Sequence, residues 1–316
     1  MSDDPRWDPE MLALRRRQDE MAAQHPPVVP EPPFDAHRRV NELLGLPWAE
    51  GGPAMAEAVD RWVPARGRRI LCRVNRPRTD RTLPVLVWLH GGGWVFASIE
   101  THDRICREYA SGADVATVSV DYVLAPEARF PVAVFECAAV IRWLASNAAT
   151  WGLDPTRIAI GGDSAGGNLA LGTAMLLRDE SEVTLRGILT GYPVTDCRFD
   201  TPSYTEFAEG FGLTRAAMQR YWELYLRDAA DAANPYAAPL RGDPAGLPRT
   251  LIQLAELDVL RSDGERMAEK MRAAGVDVTS QTYAGTAHGF LRMVGPIAKA
   301  REAAAWASAW LREVLS

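Results

Sequence analysis

Cysteine is scarce in this chain: Cys72, Cys106, Cys137 and Cys197 are the only four in 316 residues. They are widely spaced and form no C-x-x-C pair, so neither a zinc site nor a disulfide framework is indicated, and a reducing cytoplasmic setting fits. An excess of positive charge is missing as well. The net charge is −6, which argues against the basic face a nucleic-acid binder needs to neutralise phosphates. Lysine is reduced to Lys270 and Lys299, and the resulting weight of arginine carries no functional reading of its own. The first five residues are acidic and polar with no apolar stretch behind them, so no secretory leader is expected. Nor is an apolar run of bilayer length expected. There is no internal repeat, and the one biased tract is the proline-rich HPPVVPEPPF.

What remains is an ordinary globular composition, 47% hydrophobic and 24% charged, in a chain long enough to bury a large core. From about residue 83, short β-branched runs alternate with longer amphipathic ones, the pattern of a mostly parallel sheet with helices on both faces. Strands are predicted at 84–89, 115–121, 158–161, 187–192, 250–256 and 278–283, and helices at 132–147, 165–178, 263–274 and about 297–314. Ligands then sit at the carboxyl ends of the strands. Two segments break the alternation. Residues 1–50 read as an arginine-rich amphipathic helix, the proline-rich tract and a second short helix; residues 196–233 carry Phe207, Phe211, Met218, Tyr221, Trp222 and Tyr225 on a helical pattern. Both suit a helical cap over a main α/β domain of 51–195 and 234–316, although Arg15 to Arg17 also reads as a solvated face and the aromatics as core.

Gly162-Asp163-Ser164-Ala165-Gly166 satisfies G-x-S-x-G between the apolar strand RIAIG and the helical run NLALGTAMLL. That strand-to-helix context projects a serine hydroxyl from a sharp turn and requires small residues at 162 and 166. A phosphate-cradling loop would need a Lys-Ser/Thr ending, which is absent. His90-Gly91-Gly92-Gly93-Trp94 directly follows the strand PVLVWL. Its glycines let backbone N–H groups approach a substrate oxygen, with the donors expected from Gly92 and Gly93, joined by Ala165. A dinucleotide fingerprint fails because its third glycine falls at Phe96. His90 itself reads as a structural partner of the loop.

A serine hydroxyl needs an adjacent base, and the base an orienting acid; in this arrangement both follow the serine, acid first. His288 is the only histidine beyond Ser164. His25, His37, His90 and His102 precede it. For the acid, TLIQLAELDVLRSDG offers Glu256 at the strand's end, Asp263 as an N-cap and Asp258 between them. Asp258 is the residue expected to reach His288, with Asp163 standing behind the triad rather than in it.

With these motifs in order, the sequence resembles the hormone-sensitive-lipase-like (HGGG/GDSAGG) esterases of the α/β-hydrolase superfamily. The resemblance rests on HGGGW at 90–94, DYVLAPEARFP at 121–131, GGDSAGGNLA at 161–170, YPVTD at 192–196, AELDVLRSDG at 255–264 and AHGF at 287–290. It implies the α/β-hydrolase fold and hydrolysis of small-molecule esters with short to medium acyl chains through Ser164, His288 and Asp258. It also implies no cofactor or metal and a homodimer formed through the sheet edge. One departure is Val123, where the family carries arginine. An amide, lactone or carbamate hydrolase would use the same residues. A non-catalytic ligand-binding member of the fold would be expected to have lost one of the three.

Overall fold

The computed structural model describes residues 4–65, 67–181 and 183–316. Their centre is an eight-stranded sheet formed by β1 (Glu57–Ala65), β2 (Arg68–Arg76), β3 (Leu83–Leu89), β4 (Ala116–Val120), β5 (Leu153–Asp163), β6 (Gly187–Gly191), β7 (Thr250–Leu257) and β8 (Val278–Ala287). The spatial order is β1-β2-β4-β3-β5-β6-β7-β8. Only the β1–β2 and β2–β4 pairings are antiparallel. Every residue of β3, β4 and β6 is buried, which is why these strands read as continuous apolar runs.

The main helices are α1 (Pro9–Ala22), α2 (Phe34–Ala49), α3 (Asp103–Ala113), α4 (Val132–Asn147), α5 (Ala165–Asp179), α6 (Pro202–Glu206), α7 (Arg215–Tyr225), α8 (Arg261–Ala273) and α9 (Ala298–Val314). A Cβ placed on Gly187 would meet Trp310 of α9, whereas one on Gly162 would meet Gly166 of α5. In the ladder Gly161 pairs with Leu189 and Gly162 with Thr190. Gly187 shares the phase of Leu189, so α9 and α5 cover opposite faces, as the alternation predicts.

Register brings the motifs together. Leu89 pairs with Gly162, so the loop after β3 and the turn after β5 leave the sheet side by side. At the other end Leu257 pairs with Ala287, which sets Asp258 beside His288. Between Ala255/Tyr283 and Leu257/Ala287 the ladder gains residues on β8. The excess is taken up at Gly285, whose φ of +69° suits glycine. Its N–H donates to Glu256 Oε2 at 2.7 Å.

Two expectations need correction. Asp263 does not cap a helix: Leu260 occupies the N-cap position of α8 without a side-chain cap. Asp263 lies inside the helix, and its Oδ2 accepts from the N–H groups of Thr195 (3.1 Å) and Asp196 (3.3 Å). A run of span length does exist, Val132–Trp151, with a hydropathy of 1.3. Half of it is packed inside the fold, and it carries Glu136, which is buried and paired with Arg68, so it is a core helix with its following turn. The aromatics of 196–233, which read in sequence both as cap and as core, divide. Phe207, Phe211, Trp222 and Tyr225 are buried, Tyr225 stacking on Trp94 at 4.2 Å and Phe211 on Trp7 at 5.6 Å. Met218 and Tyr221 face the cavity described below.

Where Val123 replaces the family's arginine, its N–H donates to Glu136 Oε2 at 3.0 Å. Arg68 Nε donates to the other carboxylate oxygen at 2.5 Å. The charge beside the sheet is thus supplied from β2.

Candidate active site

Ser164 joins β5 to α5 with φ 55° and ψ −121°, a left-handed state that β-carbon sterics disfavour. Its N–H donates to Gly191 O at 2.8 Å and its carbonyl accepts from Asn168 N at 3.0 Å, which holds the turn from both sides. A Cβ at Gly166 would run into the Leu89 carbonyl, and one at Gly162 into the Gly166 backbone. The motif's small residues are therefore a packing requirement.

His288 Nε2 lies 2.9 Å from Ser164 Oγ, and His288 Nδ1 lies 2.7 Å from Asp258 Oδ2. Asp258 is 1% exposed, and its Oδ1 accepts from Leu260 N at 2.9 Å. A buried carboxylate with both oxygens engaged can hold an imidazole in one tautomer and one orientation. The inserted segment braces this loop: Ser203 Oγ donates to Val259 O at 2.6 Å, and the N–H groups of Ser203 and Ser262 each donate to the other's hydroxyl.

The glycine loop closes on itself, with Gly92 O accepting from Val95 N at 3.1 Å and Phe96 N at 2.9 Å. Gly92 (φ +123°) and Gly93 (φ +61°) both lie in the left-handed half of backbone space. A Cβ on Gly93 would sit 2.6 Å from the Tyr221 ring. Among the described residues, the N–H groups of Gly92, Gly93 and Ala165 donate to no protein acceptor, and all three residues neighbour Ser164. Such N–H groups can receive a developing oxyanion.

Behind the loop, Asp163 Oδ1 accepts from Gly91 N at 3.0 Å and lies 3.1 Å from His102 Nε2. Burial alone would raise the Asp163 carboxyl. His102, Arg292 and the Gly91 N–H outweigh it and hold the group at about 2, so it is ionised near neutral pH. Burial pushes His102 down despite Asp163. His90, fully buried and stacked on Tyr122 at 4.3 Å, is driven down to about 3 by burial and by His102. Its carbonyl accepts from Tyr122 Oη at 2.6 Å, so it braces the loop and is in no position to serve as the base.

These groups open on a cavity of about 420 Å³. Ser164, His288 and the three glycines form its floor; Arg15, Gln18 and Asp19 of α1, Asn41 and Trp48 of α2, and Met218 and Tyr221 of α7 form its walls. Among the described residues no cluster of three or more His, Cys, Asp or Glu could hold a metal ion. Glu256 was offered in sequence only as an alternative acid, not as the acceptor of Gly285 N–H, and Arg292 was not singled out at all. Gly285, three residues before His288, was the one sequence sign that the β8 backbone needs help there.

Fold and side-chain arrangement are those of an α/β serine hydrolase. Comparison with known proteins narrows the class. Residues 86–292 match the sequence pattern of the alpha/beta hydrolase fold family. Carboxylesterase NlhH of Mycobacterium tuberculosis is 39% identical over 248 residues, 77% of this chain and 78% of that protein. An arylesterase of Saccharolobus solfataricus is 33% identical over 81% of this chain and 84% of its own length. Among solved structures, a thermostable esterase from Pseudomonas putida superposes with a TM-score of 0.91 at 33% identity, covering 100% of this chain and 99% of that one. The chain belongs to the alpha/beta hydrolase fold family, in its hormone-sensitive-lipase-like branch, and is a serine carboxylic ester hydrolase.

Proposed function

We propose that the chain hydrolyses small esters of short to medium acyl length, with Ser164 as nucleophile, His288 as general base and acid, and Asp258 as the residue that orients the imidazole. The observation that carries the reading is the pair of contacts at His288, 2.9 Å to Ser164 Oγ and 2.7 Å to Asp258 Oδ2. Ser164 Oγ attacks the ester carbonyl while His288 Nε2 takes its proton. The tetrahedral oxyanion is received by the N–H groups of Gly92, Gly93 and Ala165, and its collapse expels the alcohol, protonated by His288. Water, deprotonated by the same imidazole, then releases the acid and restores Ser164.

Residues 1–50 and 196–233 act as the cap, and their side chains bound a cavity of about 420 Å³. That size lies toward the lower end of typical ligand pockets, roughly 300–1,000 Å³, which favours short and medium acyl chains. Ser164→Ala and His288→Ala are each expected to abolish turnover of p-nitrophenyl butyrate while circular dichroism stays unchanged. Rates near wild type in either variant would defeat the assignment. Across p-nitrophenyl esters from acetate to laurate, kcat/KM should peak at or below the medium chains.

A further inference from the structure

The cavity above Ser164 holds a guanidinium that no described carboxylate pairs with directly. Arg292 follows His288 by four residues and lines the same cavity. The position of a Cβ on Gly289 is 4.0 Å from Arg292 Nη2, so the guanidinium lies beside the backbone that carries the proposed base. Among the described residues its side chain makes no hydrogen bond and no ion pair. Other arginines of this half of the chain are engaged: Arg301 donates to Val294 O and Gly295 O, and Arg261 to Glu206.

The charge of Arg292 acts on Asp163 and on Glu42 of α2 only through Coulomb attraction without direct contact, and no carboxylate among the described residues forms an ion pair with it. Asp163 is committed to Gly91 N–H and His102. Asp19 is more than half exposed and lies 3.9 Å from Arg15. Arg15 is itself weakly compensated, with Gln18 Oε1 at 2.9 Å as its other contact, and its tip lies under Gly212 of the inserted cap. Two guanidinium groups thus face a partly enclosed space whose carboxylates are spent or turned to solvent. A half-buried guanidinium is ordinarily paired, and its planar fork matches a carboxylate.

Resting on the triad reading above, we infer that this cavity is built for esters that carry a second, ionised carboxylate, which Arg292 receives and Arg15 helps attract. Arg292 is then a specificity determinant. It holds the carboxylate so that the ester carbonyl lies over Ser164 Oγ, and it takes no part in bond making. The carboxylate can sit on the acyl or the alcohol side of the ester, and two substrate pairs separate these.

The test uses the full chain and compares kcat/KM for the anionic over the neutral member of each pair. The acyl-side pair is mono-p-nitrophenyl glutarate against p-nitrophenyl pentanoate; the alcohol-side pair is m-butyryloxybenzoate against phenyl butyrate. In wild type the ratio should be at or above one in at least one pair. Arg292→Gln should lower that ratio about tenfold or more, chiefly through KM, and Arg292→Lys should restore part of it. Added salt should raise KM for the anionic substrate of the wild-type protein and not for its neutral partner, a readout that depends on no variant. A wild-type ratio far below one in both pairs, or a ratio unmoved by Arg292→Gln, would overturn the inference and leave ester hydrolysis standing. Failure of wild type on the neutral esters too would overturn the triad reading, and this inference with it.

Discussion

Ser164 holds a left-handed backbone state that costs a non-glycine residue about 1–3 kcal/mol. Two hydrogen bonds, to Gly191 and from Asn168, and the absence of any Cβ at 162 and 166 make that state affordable. The proposed site then depends on one tautomer of His288. Asp258→Asn keeps the shape of the side chain, but its amide can present N–H to Nδ1 and stabilise the wrong imidazole form. It is expected to lower kcat by roughly 10⁴-fold with little change in melting temperature. A loss of less than about tenfold in steady-state kinetics would mean that Asp258 does not orient the base. At this scale the contacts of Ser164, His288 and Asp258 were legible because each residue sits in a motif with a fixed chain order. Glu256 was not, since its task is to hold Gly285 N–H across a shifted ladder, and register is a tertiary property. Arg292 was not either: a lone arginine after HGF carries no pattern, and only the absence of a direct partner in three dimensions distinguishes it.

At the scale of elements, the loop bearing Asp258 is fixed by what α8 buries. Asp263, in the first turn of that helix, is fully enclosed. Burial raises its carboxyl to about 7, against the N–H groups of Thr195 and Asp196 and nearby Arg266, while the charge of Asp196 raises it further. The native state therefore retains a proton that the unfolded chain releases from about pH 4 upward. Stability falls as pH rises through the window from about 4 to 7, and the full penalty applies above it. Asp263→Asn removes the titration, so its stability relative to wild type should improve between pH 4 and pH 8 by roughly 2–4 kcal/mol in urea unfolding. An offset that does not vary with pH would contradict the buried charge. The inner strands were legible because both their faces are buried. The β1–β2 hairpin was not: it alternates apolar residues with arginines, as in RRILCRVNR, and lies at the sheet edge where Trp62 is 51% exposed. Helix α3 was also missed, its DRICREYASGA run being too polar to stand out, though Ile105, Cys106 and Tyr109 are buried.

For the whole molecule, the sheet gathers residues from four loops at its carboxyl edge, and residues of α1, α2 and α7 line the same cavity. Residues 1–50 and 196–233 were legible as breaks in the alternation, but not which of their residues line the cavity. Arg15 lies on a helix whose sequence reads as readily as a solvated face, and Met218 and Tyr221 look in sequence like the aromatics that are simply core. The account as a whole stands on Ser164 Oγ being activated by His288. Intact-mass analysis after exposure to a fluorophosphonate tests this most directly. One adduct per chain is predicted, mapping by peptide sequencing to Ser164 and disappearing in both Ser164→Ala and His288→Ala. A chain that stays unmodified, or one labelled at another residue, would contradict it.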